Sequence, residues 1–309
     1  MKIPAAKPTI IASQGGAGLM PQNTLAAIAN ASVLGADGSE IDIHLTRDLE
    51  MVLHHDYRLS KDIARGQDGK WLSETGPALA EMTLSAIRDY DVGRTRPGSS
   101  IAMRYPDQAP CDGEAAPTLQ EVFEIYARLE DTHSQLWIEP KSDPFDSELR
   151  AACVEEFAGK IVDAIERANF VSRAVVICFD WRLLQRVQTT NPNIQTGFLT
   201  INPEALLAVP AFEDEGRRIE RALTGPAPWP AIIGFDDKMR IGRPWEAVAE
   251  AGGTYWSPYF GDVTLEAIEA AHLAGVKVST WGVEDPDDFT KCIALGFDSV
   301  TTASPNKFL

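Results

Sequence analysis

The chain has 309 residues, a length that suits one large domain or two average ones. Its 44% hydrophobic and 24% charged content allows a substantial core and excludes extended disorder. The 45 acidic residues against 28 basic ones leave a net charge of −17, a field that argues against nucleic acid or an anionic membrane surface as partner.

That field also repels phosphates, so a phosphate-bearing ligand needs a local metal ion or a few placed cations. Cys111, Cys153, Cys178 and Cys292 are scattered without Cys-x-x-Cys spacing, which points to neither a zinc site nor a disulfide framework. Cys178 lies within an apolar run and is expected in the core. Met1 to Pro8 lacks the apolar stretch of a signal peptide. No run approaches the ~18 apolar residues of a membrane span. The expected location is cytoplasmic, with no integral membrane segment; nothing in the sequence sets the oligomeric state.

Thr9 to Ser13 reads as a buried strand that ends in a glycine-rich turn, Gly15 to Gly18. Pro21-Gln22-Asn23-Thr24 opens a helical stretch through Leu34, closed by Gly35. Next comes Ser39 to Asp56. Glu40, Asp42 and His44 alternate, which on a strand puts all three on one face. Two carboxylates on one face repel unless a cation or proton lies between them. Thr46 to Glu50 reads as a polar turn, and Met51-Val52-Leu53 as a short apolar run ending in His54-His55-Asp56. A carboxylate pair followed by a His-Asp step reads as a divalent-cation site with a titratable base beside it. His54 is expected to point away from His55, into packing.

Residues 57–77 and 94–116 read as insertions, polar or rich in Gly, Pro and Asp, lying over the same end as the proposed cation site. Between them Thr83 to Tyr90 reads as a helix capped by Thr83 or Ser85. Thr118 to Leu129 reads as an amphipathic helix, and the following strand ends in Glu139-Pro140-Lys141, acid and base on one face. Helices are predicted at Glu148 to Ala168, Trp181 to Gln188, Leu265 to Ala274 and Pro286 to Ala294, and a further insertion over 202–235. His133 and His272 fall away from strand ends and are expected at the surface.

Eight main strands result, near 9–13, 38–44, 136–141, 174–179, 194–199, 254–257, 276–281 and 298–301, with helices between them. This is the pattern of an α/β protein of the (β/α)8 TIM-barrel type, a single domain over 1–309 with insertions in the βα loops. Active sites of such barrels gather at the C-terminal ends of the strands. Ser13, Asp42, His44, Lys141, Phe179, Trp281 and Thr301 all fall there.

Taken together, these residues resemble the glycerophosphodiester phosphodiesterases, metal-dependent (β/α)8 hydrolases. The resemblance runs nearly the whole length. It rests on Pro21-Gln22-Asn23-Thr24, Gly35-Ala36-Asp37, Glu40-Ile41-Asp42, Leu45-Thr46-Arg47-Asp48, His55-Asp56, Glu139-Pro140-Lys141 and Trp281-Gly282-Val283. It implies that Glu40, Asp42 and Glu139 hold one divalent cation, Mg2+ or Ca2+, which an all-oxygen carboxylate set suits. It further implies that Lys141 contacts the substrate phosphate, that His55 is the general acid or base, and that Trp281 lines the pocket. The implied partner is a small phosphodiester, within lipid and glycerol metabolism.

The chain departs from the family pattern at the first strand. Ser13-Gln14-Gly15 stands where the family reads His-Arg-Gly, so Ser13 takes the place of a catalytic histidine and Gln14 that of a phosphate-binding arginine. Gln22 replaces a glutamate, and Thr301-Thr302 the family's Thr-Asp. Serine has no pKa near neutrality, and glutamine lacks the charge and fork of arginine. Three readings follow. One is a phosphodiesterase giving glycerol 3-phosphate and an alcohol, slowed by these changes, in which His44 binds substrate or replaces the absent histidine. A second is an inactive or repurposed member that binds metal and a phosphate-bearing ligand. A third is a lyase of the phospholipase D kind that gives a cyclic phosphate.

Overall fold

The structure, a computed structural model, describes residues 6–142, 154–201 and 242–309. Its strands are β1 (Thr9–Ala12), β2 (Gly38–Leu45), β3 (Met51–Leu53), β4 (Gln135–Pro140), β5 (Ala174–Cys178), β6 (Gln195–Thr200), β7 (Tyr255–Pro258), β8 (Lys277–Trp281) and β9 (Ser299–Thr302). All but β3 pair in parallel, in the order β1-β9-β8-β7-β6-β5-β4-β2, and β1 pairs with β2 to close the ring. The result is a (β/α)8 barrel. Each predicted strand is present, with no end shifted by more than one residue.

Alternation along the strands sorts the residues into two cores. Ile10, Ile41, Ile43, Ile138, Val176, Phe198, Val278 and Val300 face outward and pack beneath the helices. Ile11, Trp137, Val175, Ile177, Leu199 and Tyr255 fill the interior, with Phe179 and Trp281 packed against them. Because Ile41 and Ile43 face the helices, Glu40 and Asp42 face into the barrel.

Among the described residues the helices are α1 (Leu25–Leu34), α2 (Leu84–Ile87), α3 (Ser100–Arg104), α4 (Leu119–Arg128), α5 (Val154–Arg167), α6 (Trp181–Thr190), α7 (Pro244–Glu250), α8 (Leu265–Leu273) and α9 (Pro286–Leu295). Thr24 caps α1 through its hydroxyl, and Gly35, at φ 83°, ends it. The helix expected over 83–90 is one turn, α2, capped by Thr83. The start of the helix expected from Glu148, Cys153 and the insertion at 202–235 lie outside the described residues. None of the described helices is long and apolar enough to cross a membrane.

Residues 57–116 carry more structure than two loops. Arg58 bridges Ala78, and Arg65 bridges both Trp71 and Asp91. Leu59, Ile63, Ala64, Leu79, Ile87, Val92 and Ala116 join Val52 in a small core of their own. The segment is tied to the loop after β1, where Gln108 Nε2 donates to the Ala17 carbonyl at 2.7 Å and Ala109 N to that of Leu19 at 2.8 Å. It therefore packs at the C-terminal end of the barrel strands.

Candidate active site

Three segments build the site, and each is held by local chemistry. After β1 the chain turns through Ser13–Gly15, with Gln14 left-handed at φ 53°. Gly15 follows at φ 77°, and a Cβ there would meet Ile28 N at 2.9 Å, so this tight pass needs glycine. The turn aims Ser13 Oγ at Glu40 Oε2 (3.2 Å), Gln14 N at the same oxygen (2.9 Å) and Gln14 Nε2 at Asp42 Oδ2 (2.9 Å).

The hairpin between β2 and β3 supplies the histidines. Thr46 Oγ1 donates to Asp48 and accepts from Glu50 N, and Leu49 takes φ 64°. The chain thus returns beside β2, pairing Ile43 with Leu53, and His54 N donates to the Asp42 carbonyl at 3.2 Å. The third segment is the end of β4. Its register sets Glu139 beside Asp42, and Lys141 Nζ lies 2.7 Å from Glu139 Oε1 and 2.8 Å from Asp42 Oδ1.

Glu40, Asp42 and Glu139 each bring one carboxylate oxygen within 4.8 Å of the other two. Burial, and then the Asp42 and Glu139 charges, push the Glu40 carboxyl well above its usual range. Burial also raises Glu139, with Lys141 opposing it. Asp42 is buried too, but Lys141 and then His55 outweigh burial and bring it down to about 2. Glu40 Oε1 is buried and has no hydrogen-bond partner among the described residues. An orphaned carboxylate oxygen in an all-oxygen set that is short of positive charge fits a hard divalent cation. The residues that could hold it are Glu40, Asp42 and Glu139.

His55 sits at the mouth with its side chain 24% exposed, and its Nδ1 lies 2.9 Å from Asp56 Oδ1. Burial works against the Asp56 charge, but this bond and the His55 charge hold its carboxyl well below the usual range. His44 is buried, and burial followed by the nearby His54 lowers its pKa to about 3, so its ring stays neutral. Its Nε2 lies 3.3 Å from the His55 carbonyl oxygen, and its ring meets Tyr57 edge-on at 5.2 Å. That placement directs His44 at the main chain of His55. His54 is buried as well, its Nε2 3.2 Å from the Arg58 carbonyl. Trp281 closes the opposite side, between Phe179 at 6.0 Å and Tyr259 at 5.0 Å, its Nε1 donating to Ser257 O. His133 and His272 are exposed, away from this cluster.

Two supporting residues hold these groups in place, and only the first carries a signal in the sequence. Asn23, at φ 56°, donates from Nδ2 to Asp42 Oδ2 (2.8 Å) and accepts the Asp42 N–H on Oδ1 (3.0 Å), while Thr24 does the capping. Its place in the Pro-Gln-Asn-Thr run makes it readable either as a neighbour of the ligands or as a helix cap, and the structure gives it the first role. Asp180, wholly buried at the N-cap of α6, accepts a hydrogen bond from Ser142 Oγ at 2.8 Å and two from the Arg182 guanidinium. It anchors the turn directly after Lys141, and no local pattern marked it.

The glycerophosphoryl diester phosphodiesterase family profile matches residues 14–307. A glycerophosphodiester phosphodiesterase of Caldanaerobacter subterraneus is 25% identical over 303 residues, covering 98% of this chain and 97% of its own. A solved structure from Silicibacter pomeroyi, assigned to the glycerophosphoryl diester phosphodiesterases, is 30% identical with a TM-score of 0.79, covering 98% of this chain and 92% of its own. An Oleispira antarctica phosphodiesterase solved with the product sn-glycerol-3-phosphate shares the fold, with a TM-score of 0.65 at 19% identity over 97% and 95% of the two chains. With an acidic triad at the mouth of a closed parallel barrel and a family match over nearly its full length, the chain belongs to the glycerophosphoryl diester phosphodiesterase family.

Proposed function

We propose that this chain hydrolyses glycerophosphodiesters to glycerol 3-phosphate and an alcohol, in a metal-dependent reaction slowed by Ser13 and Gln14. The observation that carries this reading is the grouping of Glu40, Asp42 and Glu139 within 4.8 Å, with Lys141 and His55 beside them. The Caldanaerobacter relative's name and the product in the Oleispira structure support the substrate class.

A divalent cation, Mg2+ or Ca2+, held by the three carboxylates would polarise the phosphodiester. The Lys141 ammonium offsets the charge of the phosphate oxygens. The Asp56 carboxylate accepts from His55 Nδ1, so in the neutral form of His55 the proton sits on Nδ1 and the lone pair on Nε2. His55 is then the base, taking a proton from the attacking water as its oxygen bonds to phosphorus. His44 holds the His55 main chain, and Trp281 and Phe179 form an apolar wall for the substrate. As the phosphorus–oxygen bond to the alcohol breaks, the alkoxide needs a proton. Ser13 supplies none at neutral pH, so it comes from water. A missing proton-transfer partner costs ~10²–10⁴ in rate.

The test is phosphorus NMR of glycerophosphocholine incubated with the protein and Mg2+ or Ca2+. Glycerol 3-phosphate should form slowly, and faster by ~10²-fold or more in the Ser13→His, Gln14→Arg double variant. A cyclic phosphate would favour the lyase. No turnover in either protein, with cation binding intact, would mark a repurposed pocket.

A further inference from the structure

We propose that Ser13 Oγ and the Gln14 side-chain oxygen are additional cation ligands, which bring the protein oxygens around one ion to five and make this site selective for Ca2+ over Mg2+. The inference rests on the reading that Glu40, Asp42 and Glu139 hold a cation.

Two neutral side chains touch this acidic cluster from one turn. Ser13 Oγ meets Glu40 Oε2 at 3.2 Å and Gln14 Nε2 meets Asp42 Oδ2 at 2.9 Å, so both groups already stand against carboxylates of the triad. The turn that carries them is fixed by its main chain. Gly16 N and Ala17 N donate to the Ser13 carbonyl, Asn23 N donates to the Gln14 carbonyl, and Gln14 N donates to Glu40. The Gln14 carboxamide itself is not fixed in the same way. Asn23, the other amide on Asp42, is locked at both ends, because its Oδ1 accepts the Asp42 N–H while its Nδ2 donates to the carboxylate. The Gln14 amide is held through Nε2 alone, and among the described residues nothing engages its oxygen. A half-turn about its last bond exchanges Nε2 for Oε1 at the cost of a single hydrogen bond. That exchange is favourable once a cation faces the group, since a carbonyl oxygen binds a cation and an N–H does not. The Ser13 hydroxyl turns similarly, presenting a lone pair in place of its proton.

The ligand count bears on which ion is taken. Ca2+ accepts six to eight oxygens, amide carbonyls among them, in flexible geometry, whereas Mg2+ holds a tight octahedron, keeps several waters and binds through one or two carboxylates. Three carboxylates, an amide oxygen and a hydroxyl form a Ca2+ set. The neutral pair raises the count of donors without adding charge to a triad that already strains Glu40.

The experiment is calorimetric titration of chelator-stripped protein with Ca2+ and separately with Mg2+, for the wild type, Ser13→Ala, Gln14→Asn and Glu40→Gln. Asparagine tolerates the left-handed backbone at position 14 but is one methylene too short to reach. Ca2+ should bind the wild type more tightly than Mg2+. Each of the first two variants should weaken Ca2+ roughly tenfold, with Mg2+ changed about twofold or less. Equal losses for both ions, or no loss, would overturn the proposal by leaving Ser13 and Gln14 as supports of the carboxylates alone. Either variant decides the matter if the other fails to fold, as judged by its melting curve without metal. Absence of binding by the wild type would instead remove the cation reading itself, and this inference with it.

Discussion

Asn23 shows how much of the site depends on one side chain that does no chemistry. Its two bonds to Asp42 fix both the carboxylate and the strand beneath it, at a backbone angle few residues tolerate. Asn23→Ala should destabilise the fold by about 1–3 kcal/mol, because it leaves the buried Asp42 N–H unpaired and adds backbone strain. Asn23→Gly relieves the strain and keeps the unpaired group, so it should be the milder of the two in chemical denaturation. Equal stability of the wild type and both variants would contradict this account. For His55, replacement by alanine should lower turnover by ~10²–10⁴ with little change in cation affinity, and Asp56→Asn should lower turnover by weakening the tautomer bias. A His55→Ala protein as active as the wild type would remove His55 as the base. The alternation of Glu40 and Asp42 made two of the acids legible, since period two is a local property. Glu139 is joined to them through the β2–β4 register, a contact between distant parts of the chain that local spacing does not encode.

At the scale of elements, the strands were readable because each is a short apolar run between turn signals. Capped helices were readable too, α1 from Thr24 at its start and Gly35 at its end, and α4 also from its periodic apolar face. Two short helices were not. Ser100–Arg104 and Pro244–Glu250 are too short for a 3.6-residue period to show. The core within 57–116 was hidden because Leu59, Ile63, Leu79, Ile87 and Val92 follow neither period. The element joints also carry pH dependence. Asp131 accepts Ser32 Oγ from α1, Ser134 Oγ and N ahead of β4, and lies 3.8 Å from Arg173 before β5. Burial opposes its charge, but the Ser134 and Ser32 hydroxyls and neighbouring N–H groups lower its pKa to about 2. The unfolded chain titrates near ~3.9, so the ionised Asp131 contributes stability above that pH and loses the contribution as pH falls towards its folded value. Asp131→Asn should therefore be less stable than the wild type at pH 7, with the gap narrowing as pH falls from about 5 to about 2. A gap that does not change with pH would contradict it. Thr118→Ala, which removes the capping box of α4, should cost about 1 kcal/mol at any of these pH values.

For the whole molecule, the closed parallel ring explains why acids distant in sequence meet. Closure through β1 and β2 puts the turn after β1 against Glu40, and the hairpin after β2 folds His55 back over the same mouth. The −17 charge of the chain makes the balance at that mouth decisive. Among the described residues one ammonium faces the three carboxylates, two of them buried, and Glu40 has an oxygen with nothing to accept from. The central claim is that one divalent cation completes this group. The measurement that tests it most directly is anomalous diffraction from crystals soaked in Mn2+, whose signal locates the ion without reference to activity. A single strong peak enclosed by the carboxylates of Glu40, Asp42 and Glu139 is the predicted result. No peak there, or a peak held by other residues, would contradict it.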